Sequence, residues 1–401
     1  MNTTLLRRRD LDVTRELIVG SIIFFHAARV FDQFGFYIKN DLQEPAATFL
    51  VILSALWGMP LMFVIAGFAI RHSLRKRTVT AFVRERFRRL FVPFVVALLV
   101  IVPPQVYCRL SVAPGYQASY AQFYSRFFDI TFKAGFPEFF AASPASGLFS
   151  LAHLWFLYVL LVYTLLLLPV FICLGQPAGQ RLIGRVARFF DRPWAIVLPA
   201  LPIAVIEAAL GTDMSGGWNQ SVYLVLLVYG YLLAADVRFG QILGRHWKSA
   251  LVLALGSSVG AIIALSIIVE SGHADPLQAY DLPSVMLRFF KGCIGWSWLV
   301  AILGFLERAG TKRQRASAKR RMFRDSVEQY ANEAVLPCYI LHQTILVIIG
   351  FYVVQWHISA LLKFLVISLA TLTVTLLLYE TVVKRTRLTR YLFGMKPLRA
   401  L

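Results

Sequence analysis

Acidic side chains are scarce in this 401-residue chain: 21 Asp and Glu stand against 41 Lys and Arg, and the four charged types together make up only 15% of it. Soluble domains usually carry about 25% charged residues, so an ordinary water-exposed surface is excluded. Cysteine is sparse too. Cys108, Cys173, Cys293 and Cys338 lie far apart with no C-x-x-C spacing, which argues against a thiolate metal site or a disulfide framework and leaves them as apolar fillers. No repeat of fixed period appears, which removes solenoids and propellers. What is abundant is apolar surface: 58% hydrophobic residues with 32 Phe, 16 Tyr and 8 Trp, and a mean hydropathy of +0.66. That excludes a disordered chain and points to the bilayer.

Crossing roughly 30 Å of hydrocarbon takes about 20 helical residues. Ten runs of that kind occur, at about 15–37, 47–70, 88–107, 149–172, 193–211, 218–236, 248–270, 288–307, 334–356 and 361–383. The fifth and sixth are the weakest, because Gly211 to Gly217 leaves only a tight turn between them. The expected fold is therefore an all-α integral membrane protein of about ten transmembrane helices. Arg7, Arg8 and Arg9 before the first run imitate a signal peptide, but His26 and Arg29 inside the run and the lack of a small-residue cleavage site make it a retained helix. Cytoplasmic loops carry the excess of Lys and Arg. With the N-terminus inside, 33 of the 41 basic residues fall on the cytoplasmic side and four, Lys39, Arg109, Arg126 and Lys133, outside. Both termini are thus expected inside, with residues 1–383 forming one membrane domain and 384–401 a basic cytoplasmic tail.

This asymmetry accounts for the net charge of +20 without nucleic acid. The clusters Arg71 to Arg89 and Arg308 to Arg324 read as topology anchors and contacts to anionic lipid, with an anionic cytosolic cosubstrate as the competing use. The one sizeable outside segment, about 108–148, is rich in Phe, Tyr, Ser and Pro and suits a short interfacial helix.

Ionisable side chains at bilayer depth are costly and are functional candidates by default. They concentrate in the first run. Arg15 and His26 are eleven residues apart, three helical turns plus about 20°, and Arg29 lies about 60° from His26, so all three share one stripe. Asp32 follows one turn later as an ion-pair partner for Arg29. His26 sits roughly 16 Å above Arg15, near mid-membrane, where a neutral imidazole can take a proton from a hydroxyl. A histidine that only bonds a neighbouring helix is the bland reading. Gly67 reads as a site of close approach between helices two and one. Glu207 and Glu380 are candidate buried carboxylates with no visible partner. His72, His246, His273 and His357 fall in loops or at interfaces and take no assigned role.

Five segments resemble the membrane acyltransferase 3 family. The Arg15-x10-His26 spacing is similar to the family's first span. Trp57 to Phe68 is similar to its second, with Ala66 where Ser is usual in a Ser-Gly-Phe tripeptide. Phe82-Val83-Arg84-Glu85-Arg86-Phe87-Arg88-Arg89-Leu90 with Pro93 resembles the basic lead-in to the third, and His153-Leu154-Trp155-Phe156-Leu157 with Tyr163 the fourth, although the Glu often found between Leu and Tyr is absent. Asn332-Glu333-Ala334, Pro337 and Tyr339-Ile340-Leu341-His342-Gln343 look like the ninth span of the branch that includes glucan succinyltransferases.

The resemblance implies transfer of an acyl group, acetyl or succinyl, from cytoplasmic acyl-CoA to a hydroxyl of an extracytoplasmic glycan or similar acceptor, in the cytoplasmic membrane of a bacterium. His26 is then general base or acyl relay, and Arg15 orients the donor or holds the pocket's charge. Arg86 and Arg89, with Arg71, suit the phosphates of CoA through forked contacts, against a plain role as anchors. Arg29, His342, Trp155 and Gly67 are expected near the substrate pocket. His342 lies about 12 Å into the ninth span, where it either shares a cavity with His26 or bonds a neighbouring helix. Trp155 and His153 are interfacial belt residues or walls of the acceptor pocket. The expected partners are lipid and a hydroxyl-bearing acceptor, with no metal. The chain stops soon after the tenth run, so acceptor recognition is expected from loops 108–148 and 271–287 or from a separate partner. Two readings compete: a transporter or flippase of an anionic or glycan-linked substrate, weakened because Pro199, Pro202 and Pro337 form no matched pair of broken helices, and a non-catalytic sensor, which leaves the Arg15/His26/Arg29 stripe unexplained.

Overall fold

The computed structural model describes residues 9–131, 141–142, 148–192, 195–212, 216–271, 277–313 and 318–396. Arg7, Arg8, Lys133, Glu138, His273, Asp275 and residues 397–401 lie outside the described residues, as do the side chains of Arg9 and of most of the run from Arg308 to Arg324. In chain order the helices are α1 Arg9–Ala28, α2 Pro45–Ala55, α3 Gly58–Leu74, α4 Val79–Arg86, α5 Val92–Val100, α6 Val102–Ser111, α7 Tyr120–Phe127, α8 Trp155–Leu166 and α9 Leu168–Gly175. There follow α10 Pro177–Phe190, α11 Ala200–Leu210, α12 Gln220–Ala235, α13 Val237–Ser271, α14 Leu282–Arg313, α15 Ala318–Val353, α16 Ala360–Leu378 and α17 Arg387–Leu392. Single π-helical turns at Phe87–Phe91 and Tyr379–Val383 lead into α5 and continue α16. The strands β1 Ile130–Thr131 and β2 Ala141–Ala142 form one two-residue antiparallel pairing.

Among the described residues, six helical stretches are long and apolar enough to cross a bilayer, and eight if each of two bent pairs counts as one span. The pairs are 152–166 with 168–175, bent by 51°, and 177–190 with 195–210, bent by 117°. Of the ten expected runs, the fifth contracts to α11, 11 residues long, and the sixth to α12, 16 residues long. The first fails on composition, since Arg9, Asp10, Asp12, Arg15 and Glu16 crowd the first two turns of α1. It also ends at Ala28: residues 29–44 leave the helix, and Arg29, the Phe34 backbone N–H and Lys39 donate to the buried carboxylate of Asp32. Within the segment 108–148, where a short helix is expected, lies α7, opened by a Ser119/Gln122 capping box.

The chain forms two compact units that alternate in sequence: residues 1–12, 53–82 and 162–323, and residues 13–52, 83–161 and 324–401. In the first, α3 packs on α12, and α14 on α11 and α13. The α3–α12 contact is backbone to backbone: a Cβ on Gly67 would lie 2.3 Å from the Leu227 carbonyl oxygen, and one on Gly230 would lie 2.0 Å from that of Val64. In lipid, such close approach by small residues holds helix pairs together. Gly67 therefore serves the contact with α12 rather than the expected one with the first helix, because Gly230 supplies the matching notch. Glu207, fully buried, accepts from Lys291 Nζ at 2.7 Å, the Thr212 hydroxyl at 2.8 Å and the Asn219 amide at 2.6 Å. Arg288 donates to the carbonyls of Glu207, Ala208 and Ala279, filling the C-terminal end of α11 where helical partners run out.

In the second unit α1, α15 and α16 share a core of Ala27, Val30, Phe31, Leu346, Val353 and Ile367. A second cluster joins Ala334, Leu341 and Ile345 to Tyr379, Val383 and Met395. Polar ties close both ends. Lys363 Nζ donates to Asn40 and to the Val354 carbonyl, both at 2.8 Å; Glu333 pairs with Arg390, and Glu380 with Lys384 at 3.0 Å. Glu207 and Glu380, which had no visible partner in the sequence, are thus both ion-paired, one across 84 residues and the other across four.

Candidate active site

The site lies within the second unit and starts from the stripe on α1. At the start of α1's apolar part, the Arg15 guanidinium donates to Asn332 of α15. Three turns on, the His26 ring lies 5.3 Å from that of His342, centroid to centroid, and stacks on Phe36 at 5.9 Å with planes 17° apart. Arg29, in the turn beyond the helix, pairs with Asp32 at 2.7 Å, and Lys39 shares the same carboxylate at 2.8 Å. The expected Arg29–Asp32 pair is therefore present, and Asp32, at 0% exposure, anchors two cations rather than one.

A third imidazole completes the cluster. His153 lies 5.2 Å from His342, ring to ring. Its backbone enters through Ala152, the one described non-glycine residue in the left-handed region, at φ 48°, a conformation that costs a residue with a Cβ about 1–2 kcal/mol. Such strain gathers at functional sites. The Tyr339 hydroxyl bonds the His153 carbonyl and the Tyr339 ring packs against both His153 and His342.

Hydrogen bonding fixes the tautomers. His342 Nδ1 is 2.7 Å from the Tyr339 carbonyl oxygen and 3.2 Å from that of Cys338. A carbonyl oxygen only accepts, so Nδ1 donates its proton and Nε2 keeps the lone pair. By the same argument His153 donates from Nε2 to the Ile340 carbonyl at 3.0 Å and keeps its lone pair on Nδ1. His342 Nε2, His153 Nδ1 and His26 Nδ1 are all buried and make no hydrogen bond among the described residues. The cluster offers bases set in an apolar wall, a medium in which proton transfer between neutral groups is favoured over separated charge. Among the described residues no group of three or more His, Cys, Asp or Glu is placed to hold a metal ion.

The remaining expected residues are dispersed. Arg86 and Arg89, both partly buried, flank or occupy the π-helical turn at Phe87–Phe91, and single π turns recur at functional sites. Arg89 pairs with Glu85 at 3.6 Å, and a Cβ on Gly394 would meet the Arg89 carbonyl oxygen at 2.8 Å. Trp155 opens α8 two residues after His153, partly buried, with its ring edge-on to Phe156 at 6.4 Å. Arg71 and Gly67 belong to the first unit. The Arg71 side chain is buried, lies over the Tyr231 ring at 5.4 Å and donates to Gln180 at 2.9 Å. Sequence reasoning gave His153 only an interfacial or pocket-wall role and Tyr339 none; the signal available was a polar residue inside an apolar run, in the same motifs that carry Trp155 and His342.

By architecture the chain is a polytopic helical membrane protein with an imidazole cluster buried in one of its units. A family model described as an acyltransferase domain, that of the acyltransferase 3 family, matches residues 8–380, and the chain belongs to this family. It is a membrane acyltransferase by that membership. No curated protein and no solved structure matches the chain.

Proposed function

We propose that the protein moves an acetyl or succinyl group from acyl-CoA, bound at the basic cytoplasmic end, to a hydroxyl of a glycan or similar acceptor on the other side of the membrane. The observation that carries this reading is the His26 ring 5.3 Å from His342, on the helix that bears Arg15 three turns below. His26 takes the proton of the acceptor hydroxyl as its oxygen attacks the thioester carbonyl. The new C–O bond forms, the C–S bond breaks, and the departing CoA thiolate receives the proton. His342 Nε2 and His153 Nδ1 hold lone pairs in the same cluster. Arg86 and Arg89 bind the CoA phosphates, since Arg makes forked contacts to phosphate oxygens. Arg71, in the other unit, is engaged there by Tyr231 and Gln180. Arg15 orients the donor from the lower end of the stripe.

The test uses purified protein in lipid with labelled acetyl-CoA and succinyl-CoA. His26→Ala is expected to bind CoA as the parent does and to lose acyl release by at least two orders of magnitude, in the range of about 10²–10⁴ for a positioned proton-transfer group. Label retained on the quenched parent protein would assign His26 as an acyl relay instead of a base. Normal turnover in His26→Ala, or no CoA binding to a folded sample, would overturn the reading.

A further inference from the structure

Helix α10 divides its circumference into three sectors. Ile183 and Ala187 are buried, and pack with Phe239 of α13. At 100° per residue, Arg181, Arg185, Arg188 and, beyond the helix end, Arg192 form a stripe about 60° wide. Between the two lies an apolar shoulder, Leu182 at 51% and Phe189 at 39% exposure. A helix packed on water alone has no reason to place two large apolar side chains in the open beside a row of arginines. A helix lying in the membrane interface has, since its shoulder enters the acyl boundary while the basic row meets headgroups. The 117° turn between α10 and α11 fits that placement: if α11 runs into the bilayer, α10 lies much closer to its plane.

The basic row also borders a built concavity. An open cleft of about 470 Å³ is lined by Arg181, Gly184, Arg185, Arg188 and Arg238. Arg238 forms its fixed wall, donating to both oxygens of Asp236 and to the Gly184 carbonyl; the carboxyl of Asp236 is held below its usual range by those bonds. The other cation near the stripe is likewise matched, Arg245 with Asp191 at 2.9 Å. Arg181, Arg185 and Arg188 donate to no described residue, so three guanidinium groups converge on one cleft with their forks available. Phosphate is the ligand that suits such a set.

We propose that α10 is an interfacial helix and that Arg181, Arg185 and Arg188 bind the phosphate of an anionic phospholipid headgroup in the cleft they share with Arg238. The exposed shoulder of Leu182, with Phe189 beside it under the Arg192 guanidinium at 5.4 Å, decides for a lipid over a soluble phosphate compound, which would leave Leu182 in water.

The experiment titrates the delipidated full-length protein in detergent with phosphatidylglycerol and with phosphatidylcholine, and counts bound lipid by native mass spectrometry. Phosphatidylglycerol is expected to be retained over phosphatidylcholine. A cation near an anionic surface is worth about fivefold in affinity, so the triple variant Arg181→Ala/Arg185→Ala/Arg188→Ala is expected to weaken phosphatidylglycerol by up to about a hundredfold and leave phosphatidylcholine unchanged. The corresponding Arg-to-Lys triple variant is expected to keep only part of the preference, because Lys keeps the charge and loses the fork. Equal retention of the two lipids, an unaltered triple variant, or displacement of phosphatidylglycerol by free CoA would overturn the proposal, the last by assigning the cleft to a nucleotide. As a check that survives poor folding of the triple variant, Phe189→Trp in liposomes is expected to add fluorescence, over that of the eight native Trp, that brominated phospholipid quenches; added fluorescence that is not quenched would place α10 away from the bilayer.

Discussion

His342 owes its chemistry to the helical turn behind it. Its Nδ1 is tied to carbonyls three and four residues earlier, so the ring neither rotates nor changes tautomer without losing that bond, and Nε2 stays a base. His342→Ala is expected to lower kcat by about 10²–10⁴ with CoA binding intact; unchanged turnover would reduce His342 to packing. His153 differs, because its one bond supports the Ile340 carbonyl of α15. His153→Gln, which keeps a donor, should therefore retain much more activity than His153→Leu. Glu207 and Lys291 answer to another rule. Removing one member of a buried pair strands the other at a cost of about 3–5 kcal/mol, so Lys291→Met should lower the unfolding temperature sharply. Glu207→Gln added to it should restore part of that loss, and an additive double variant would show that the pair is not coupled. Neither partnership was legible in the sequence. Arg29–Asp32 was, because a separation of three residues places both groups side by side, whereas 84 residues between Glu207 and Lys291 leaves nothing local to detect.

At the scale of elements, apolar periodicity located the helices well and their ends poorly. The first run reads on to residue 37 as apolar sequence, yet α1 stops at Ala28 because Asp32 draws Arg29 and Lys39 around itself and the following backbone is used for that shell. The π turn at Phe87–Phe91 has no signature in composition; it inserts the width of one extra residue where Arg88 and Arg89 precede α5. Gly67 shows the same division. Its small size is visible in sequence, but the helix it notches against is chosen by Gly230, far along the chain. Gly67→Leu is expected to separate α3 from α12 and lower thermal stability in detergent far more than Gly20→Leu, since a Cβ at Gly20 meets nothing within 4 Å. Similar losses at the two positions would refute a backbone-to-backbone contact.

For the whole molecule the distribution of Lys and Arg makes the strongest statement. With 33 of 41 basic residues in alternate segments of the ten-run reading of the sequence, both termini are expected on the cytoplasmic side. A fluorescent protein fused after Leu401 should therefore fold and report, and alkaline phosphatase fused there should stay inactive; the opposite pattern would reverse the orientation. Composition, charge asymmetry and apolar run length sufficed to define a helical membrane protein, because burial in lipid is decided residue by residue and leaves its mark on every turn. That Arg15 and His26 share one face of α1 follows from helical geometry alone, whereas Arg29 lies beyond the end of that helix. The assembly of His26, His342 and His153 did not, since it brings together residues up to 316 positions apart in the sequence, held by packing of α1 against α15 and by the strained turn at Ala152. Contacts of that separation depend on how side chains fill the space between helices, and only the tertiary structure decides that.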